Sequence, residues 1–108
     1  LKKYLENINS DLIRPIKDAL NTEKVGKIIK VCGVVSKLQN ITTKNGSPML
    51  FARIEDLSNT IEVLVFSDVL AKTRDLWKEG KAIFVSGRIS AKDGECKIVC
   101  QNAQEIIL

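Results

Sequence analysis

The period of hydrophobic positions changes near residue 25. Before it, Lys2 to Ile8 carries a short amphipathic pattern, Asn9-Ser10-Asp11 offers turn and cap chemistry, and Pro15 suits the first turn of a second short helix over Arg14 to Leu20. Residues 1–24 hold too few apolar positions for a core of their own, so they read as a helical lead-in that Tyr4 fastens to the rest of the chain. From Val25 onward the period is two. Ile29, Val31, Gly33 and Val35 alternate with Lys30, Cys32, Val34 and Ser36 in a first strand. Asn40 to Ser47 is a polar loop with Asn45-Gly46 at its tip, a hairpin signal. Leu50, Ala52 and Ile54 then alternate with Met49, Phe51 and Arg53, and Glu55-Asp56 begins a turn completed by Ser58-Asn59. Ile61, Val63 and Val65 form a third strand. Ser67 or Asp68 caps a helix of roughly Val69 to Trp77, which Glu79-Gly80 ends. Ile83, Val85, Gly87 and Ile89 mark a fourth strand, and Lys92-Asp93-Gly94-Glu95 turns into a fifth, Cys96 to Gln101, with Ala103 to Leu108 as a tail strand.

Five short strands with one helix between the third and fourth predict a mostly β chain folded as an OB-fold, the small Greek-key barrel. The lead-in then spans residues 1–24 and the barrel domain residues 25–108. Gly33 and Gly87 sit inside otherwise apolar strands, where a glycine weakens the strand unless the chain must bend, as at a barrel corner. Trp77 follows Leu70 and Leu76 at helical spacing, as a plug for the barrel end would.

Ligands of this fold bind across strands two and three, between the loops joining strands one to two and four to five. Here those loops are Asn40 to Ser47 and Ala91 to Glu95. If Leu50, Ala52 and Ile54 point into the barrel, Met49, Phe51 and Arg53 point out. An outward aromatic beside an outward cation is what stacking on a base and neutralising a phosphate require. Arg88 points outward beside Gly87, Lys37 and Lys44 lie on the first strand and its loop, and Lys92 and Lys97 border the other loop. The predicted nucleic-acid-binding set is therefore Lys37, Lys44, Phe51, Arg53, Arg88, Lys92 and Lys97. A rival class, a protein-docking barrel, would instead use an apolar patch of Val34, Met49, Phe51 and Leu64. A third, an anticodon or RNA binder, would use the same groove.

Composition narrows the chemistry. The 108 residues are 44% hydrophobic, enough for one domain with a core. Seventeen Lys and Arg against thirteen Asp and Glu give +4, a balance compatible with a polyanionic partner. The chain has no histidine, and Cys32, Cys96 and Cys100 are an odd set without zinc spacing, so they read as buried thiols in a reducing compartment. No Gly-rich phosphate loop, GxSxG or HExxH is present. Neither catalytic residues, metal nor cofactor are expected. No apolar run is long enough for a membrane helix or a signal sequence. The opening Leu1 suggests a piece of a longer protein.

The strings Val31-Cys-Gly-Val-Val-Ser36, Ile41-Thr-Thr-Lys-Asn-Gly-Ser-Pro-Met49, Ile54-Glu-Asp-Leu57 and Ile61-Glu-Val-Leu-Val-Phe66 resemble the OB domain of the alpha subunit of bacterial DNA polymerase III. Val85-Ser-Gly-Arg-Ile89 and Lys92-Asp-Gly-Glu95 continue the likeness, which covers about residues 25–108. Several motifs are shared with the wider anticodon-binding-like OB group, including aspartyl- and lysyl-tRNA synthetases, in which a strand-two Phe at the place of Phe51 stacks on a base. The synthetases carry Leu-Arg-Asp where this chain has Ile54-Glu55-Asp56, which speaks against a tRNA ligand. The resemblance implies a bacterial, cytoplasmic DNA-directed DNA polymerase whose catalytic carboxylates and magnesium sites lie outside this segment. It also implies a module that guides single-stranded template. Its partners would be that strand, the rest of the alpha subunit, and clamp or clamp-loader subunits.

Overall fold

The computed structural model describes residues 13–106. The expected helix over Lys2 to Ile8, its Asn9-Ser10-Asp11 cap and Tyr4 lie outside the described residues. The described chain runs α1 (Ile16–Ala19), a 3-10 turn (Thr22–Lys24), β1 (Ile28–Thr42), β2 (Pro48–Glu55) and β3 (Thr60–Val65). It continues through α2 (Ser67–Thr73), a second 3-10 turn (Arg74–Leu76), β4 (Ala82–Lys92) and β5 (Glu95–Glu105). The strands close into a barrel in the order β1-β2-β3-β5-β4. All neighbours are antiparallel except β3 and β5, which close the barrel through a short parallel pairing, Val63 with Ile98 and Leu64 with Val99. This is the expected five-stranded OB barrel with its helix between β3 and β4.

Closure explains the core. Val31, Val35, Ala52, Ile54, Val63, Val65, Ile83, Val85, Ile89 and Ile98 are fully buried inside it. Alternation along the strands sends their neighbours to the outer face, where Cys32, Phe84 and Ile106 are nonetheless buried together in a second cluster. Trp77 closes one end as expected: it is buried, and its indole N–H donates to the Thr73 hydroxyl at 2.9 Å. All three cysteines are buried.

β1 serves two neighbours in turn, pairing with β4 over Ile28–Val34 and with β2 over Val34–Thr42. Gly33 sits at that crossing, where an added Cβ would lie 2.7 Å from the Glu55 carbonyl oxygen. Gly87 lies at the β4–β5 register shift, where a Cβ would collide with the Val99 carbonyl. Both strand glycines are thus places where backbones approach too closely for a side chain.

Several boundaries differ from the sequence reading. β1 extends to Thr42, so the loop shrinks to residues 43–47, held by Gly46 N–H to Thr43 O at 2.9 Å with Gly46 at φ +81°. The predicted tail strand is not separate: β5 runs unbroken past Gln101, because a bulge there lets Cys100 and Ala103 both face inward. The β3–β4 helix starts at Ser67 and makes no side-chain cap, so neither Ser67 nor Asp68 caps it, and its last turn tightens to 3-10. The second lead-in helix is only Ile16–Ala19. Pro15 stays extended ahead of it (ψ 150°), and the Ile16 N–H is taken by Asp56 Oδ2 at 2.8 Å.

Candidate nucleic-acid interface

β2 positions the centre of the site. Ala52 and Ile54 are buried in the core, so Phe51 and Arg53 stand on the outer face, Phe51 half-buried and Arg53 exposed. Strand pairing then fixes their neighbours. Phe51 lies opposite Gln39 of β1 and Leu64 of β3, and Arg53 lies opposite Lys37 and Glu62. Lys37, Gln39, Phe51, Arg53 and Glu62 line one cleft over Ala52. Lys37 reaches it through a β-bulge between Val35 and Lys37. Without that extra residue, Lys37 would share the inward parity of Val35. The Ser36 hydroxyl donates to the Arg53 carbonyl at 3.2 Å, tying the bulge to β2.

The outer face therefore carries two adjacent rows. One is charged: Lys37, Arg53, Glu62, and Lys97 on β5. The other is largely uncharged: Gln39, Phe51, Leu64, Val99. Apolar faces suited to bases lie beside cations suited to phosphates. The Lys37 and Arg53 side chains make no hydrogen bond or ion pair among the described residues, so their charge is available to a ligand.

The other predicted residues are placed differently. Lys97 does not stand open: its ammonium holds Glu62 Oε1 at 3.0 Å. Arg88 is exposed but three strands from Phe51, in a second groove with Val25, Gly26, Val99 and Gln101. Lys44 and Lys92 are exposed in the β1–β2 loop and at the end of β4, and neither lines the Phe51 cleft. The apolar patch of the docking alternative is not continuous. Phe51 and Leu64 are paired, but Met49 is buried, and Val34 lies opposite Glu55 with Arg53 between it and Phe51.

Gln39 and Glu62 are missing from the set predicted by sequence. Alternation with Ile61 and Val63 is a signal that could have found Glu62; Gln39 is hidden by the bulge, which reverses the parity of β1.

Burial pushes the Cys100 thiol up to about 11, although a backbone hydrogen bond of Asn102 opposes the rise. Burial, then the Asp56 charge, raises Cys32 as well. Both thiols are thus protonated at neutral pH and poor nucleophiles.

Residues 24–106 match the model of one protein family, described as an OB-fold nucleic acid binding domain. DNA polymerase III subunit alpha of Saccharopolyspora erythraea is 32% identical over 99 residues, covering 85% of this chain and 8% of that protein. The same subunit of Escherichia coli K12 is 31% identical over 93 residues, covering 84% and 8%. The chain thus spans only 8% of the length of these relatives. A domain of replication protein A from Methanococcus maripaludis has the same fold, with a TM-score of 0.70 at 15% identity over 87% of this chain and 94% of that one. No helix among the described residues is long and apolar enough to cross a membrane.

Proposed function

The chain belongs to the family of OB-fold nucleic acid binding domains, and on that premise we propose that it is a non-catalytic single-stranded DNA-binding module of a replicative polymerase alpha subunit. On this reading residues 25–108 form the binding unit and residues 1–24 lead into it. It guides template strand in the cytoplasm of a bacterium, with the rest of the subunit, and clamp or clamp-loader subunits, as its protein neighbours. The observation that carries the proposal is the Phe51–Arg53–Lys37 cleft: a half-buried aromatic face beside two uncommitted cations. Phe51 stacks on a base, Arg53 and Lys37 neutralise phosphates, and Lys44 and Lys92 add charge from the flanking connections. Similarity to the polymerase alpha subunits supports a DNA context.

The test is fluorescence anisotropy of a labelled single-stranded DNA across a salt series, with a tRNA anticodon stem-loop as competitor. Affinity should fall steeply with salt as counterions are released. Salt-independent binding, or stronger binding to the stem-loop, would overturn the assignment.

A further inference from the structure

We propose that the binding track continues from the Phe51 cleft across the barrel to a second single-stranded nucleic acid subsite on β5 and β4, centred on Arg88; this extension rests on the function proposed above. Strand register defines the path. Phe51 pairs with Leu64, Leu64 with Val99, and Val99 with Arg88, so four successive strands contribute one outward position each to a single row. Their chain neighbours Ala52, Val63, Ile98 and Ile89 are buried in the core, which fixes the row on the outside. Measured along the sheet, three strand spacings separate its ends, about 14 Å, and because the barrel is closed the row curves round its wall instead of lying on one flat face. Leu64 and Val99 are half-buried and uncharged, so nothing between the two ends repels a base or sugar.

The far end has the composition of a phosphate site bordered by apolar surface. Arg88 is exposed and makes no ion pair or hydrogen bond among the described residues. Ile28 lies directly across from it and is 55% exposed, and Val25 is 45% exposed. These are two of four large hydrophobic side chains so exposed among the described residues. Gly26 keeps the floor open: its N–H is held by the Ile89 carbonyl at 2.7 Å, and it presents no side chain. Gln101, the extra residue of the β5 bulge, also lines the groove and supplies an amide able to donate to and accept from a base edge. No acidic side chain among the described residues lines it, which favours a polyanion over a basic peptide. Single OB domains cover roughly 4–16 nucleotides, more than a cleft on two strands would occupy.

The experiment compares single-stranded DNAs of about four and about twelve nucleotides on the wild-type chain, Arg88→Ala and Val99→Asp. Arg88→Ala removes the far cation; Val99→Asp leaves it but places a carboxylate on the row. Both should bind the longer DNA about 5–10-fold more weakly than wild type, Arg88→Ala should bind the shorter one as wild type does, and the salt slope for the longer DNA should fall by about one in Arg88→Ala. Circular dichroism checks that both variants stay folded. If both keep wild-type affinity for the longer DNA while Phe51→Ala loses it, the second subsite is wrong and the proposed function stands. If the wild-type chain binds neither DNA, both fall.

Discussion

Lys97 Nζ lies 3.0 Å from Glu62 Oε1, one step before the Val63–Ile98 pair that closes the barrel. The pair places a carboxylate in the cleft, directly opposite Arg53, and holds one cation back from solvent. Glu62→Gln should therefore strengthen single-stranded DNA binding about 3–10-fold and steepen its salt dependence by about one phosphate contact. Lys97→Gln should weaken binding by leaving Glu62 uncompensated. Neither should shift stability by more than about 1 kcal/mol, as for other partly exposed pairs. Anisotropy titrations paired with urea melts check both.

Phe51→Ala and Arg53→Ala should separate stacking from charge. Loss of the stacking face should cost about 1–3 kcal/mol of binding at unchanged salt slope. Loss of Arg53 should lower the slope by about one. Both side chains face outward, so both variants should keep the wild-type far-ultraviolet spectrum.

The strand glycines should tolerate no side chain. A Cβ at Gly87 would meet the Val99 carbonyl and lie 2.7 Å from Ile98 Cγ2, and one at Gly33 would lie 2.7 Å from the Glu55 carbonyl oxygen. These obstacles are mainly backbone, which cannot swing aside. Gly33→Ala and Gly87→Ala should each lose about 1–3 kcal/mol in denaturant unfolding.

Asp56 joins the lead-in to the β2–β3 hairpin. It accepts from Ile16 N–H (2.8 Å), Ser58 N–H (2.7 Å), Ser58 hydroxyl (2.6 Å) and Asn59 N–H (3.0 Å). Burial pushes its carboxyl up, but these hydrogen bonds outweigh burial and hold it below the ordinary 3.8. A carboxyl depressed in the folded state stabilises fully above its unfolded value and loses that contribution as pH falls through its folded value. The stability gap between wild type and Asp56→Ala should thus be widest above about pH 4 and close as the solution is acidified below it. Urea melts from about pH 7 down to about pH 2 check the profile.

Thr73→Val should strand the buried Trp77 indole N–H, which has the Thr73 hydroxyl as its acceptor. The expected loss is about 1–3 kcal/mol, with Thr73→Ser keeping most of the stability, read from denaturant melts and tryptophan fluorescence.

Local alternation makes much of the barrel legible. Leu50, Ala52 and Ile54 against Phe51 and Arg53 place β2 correctly, and the glycines at 33 and 87 mark real close approaches. Periodicity fails where an extra residue enters a ladder, because the count of two then breaks silently. That is why the continuity of β5 through Gln101 and the outward turn of Gln39 are hidden in the sequence. The short lead-in helix reads too long because its limit is set by a carboxylate forty residues away, Asp56 taking the Ile16 N–H. The commitment of Lys97 to Glu62 depends on β3 lying beside β5, a neighbour relation fixed only by closure.

Ser36 makes β1 two reading frames joined end to end: odd positions such as Val31 and Val35 face the core before it, and the even position Leu38 faces it directly after. The binding half of the strand is thereby uncoupled in phase from the structural half. Deleting this one exposed residue would act in space as a frameshift acts in a gene, turning Lys37 and Gln39 inward and Leu38 out. Substitutions at Ser36 should be mild, whereas its removal should abolish folding or force the bulge to reappear elsewhere along β1.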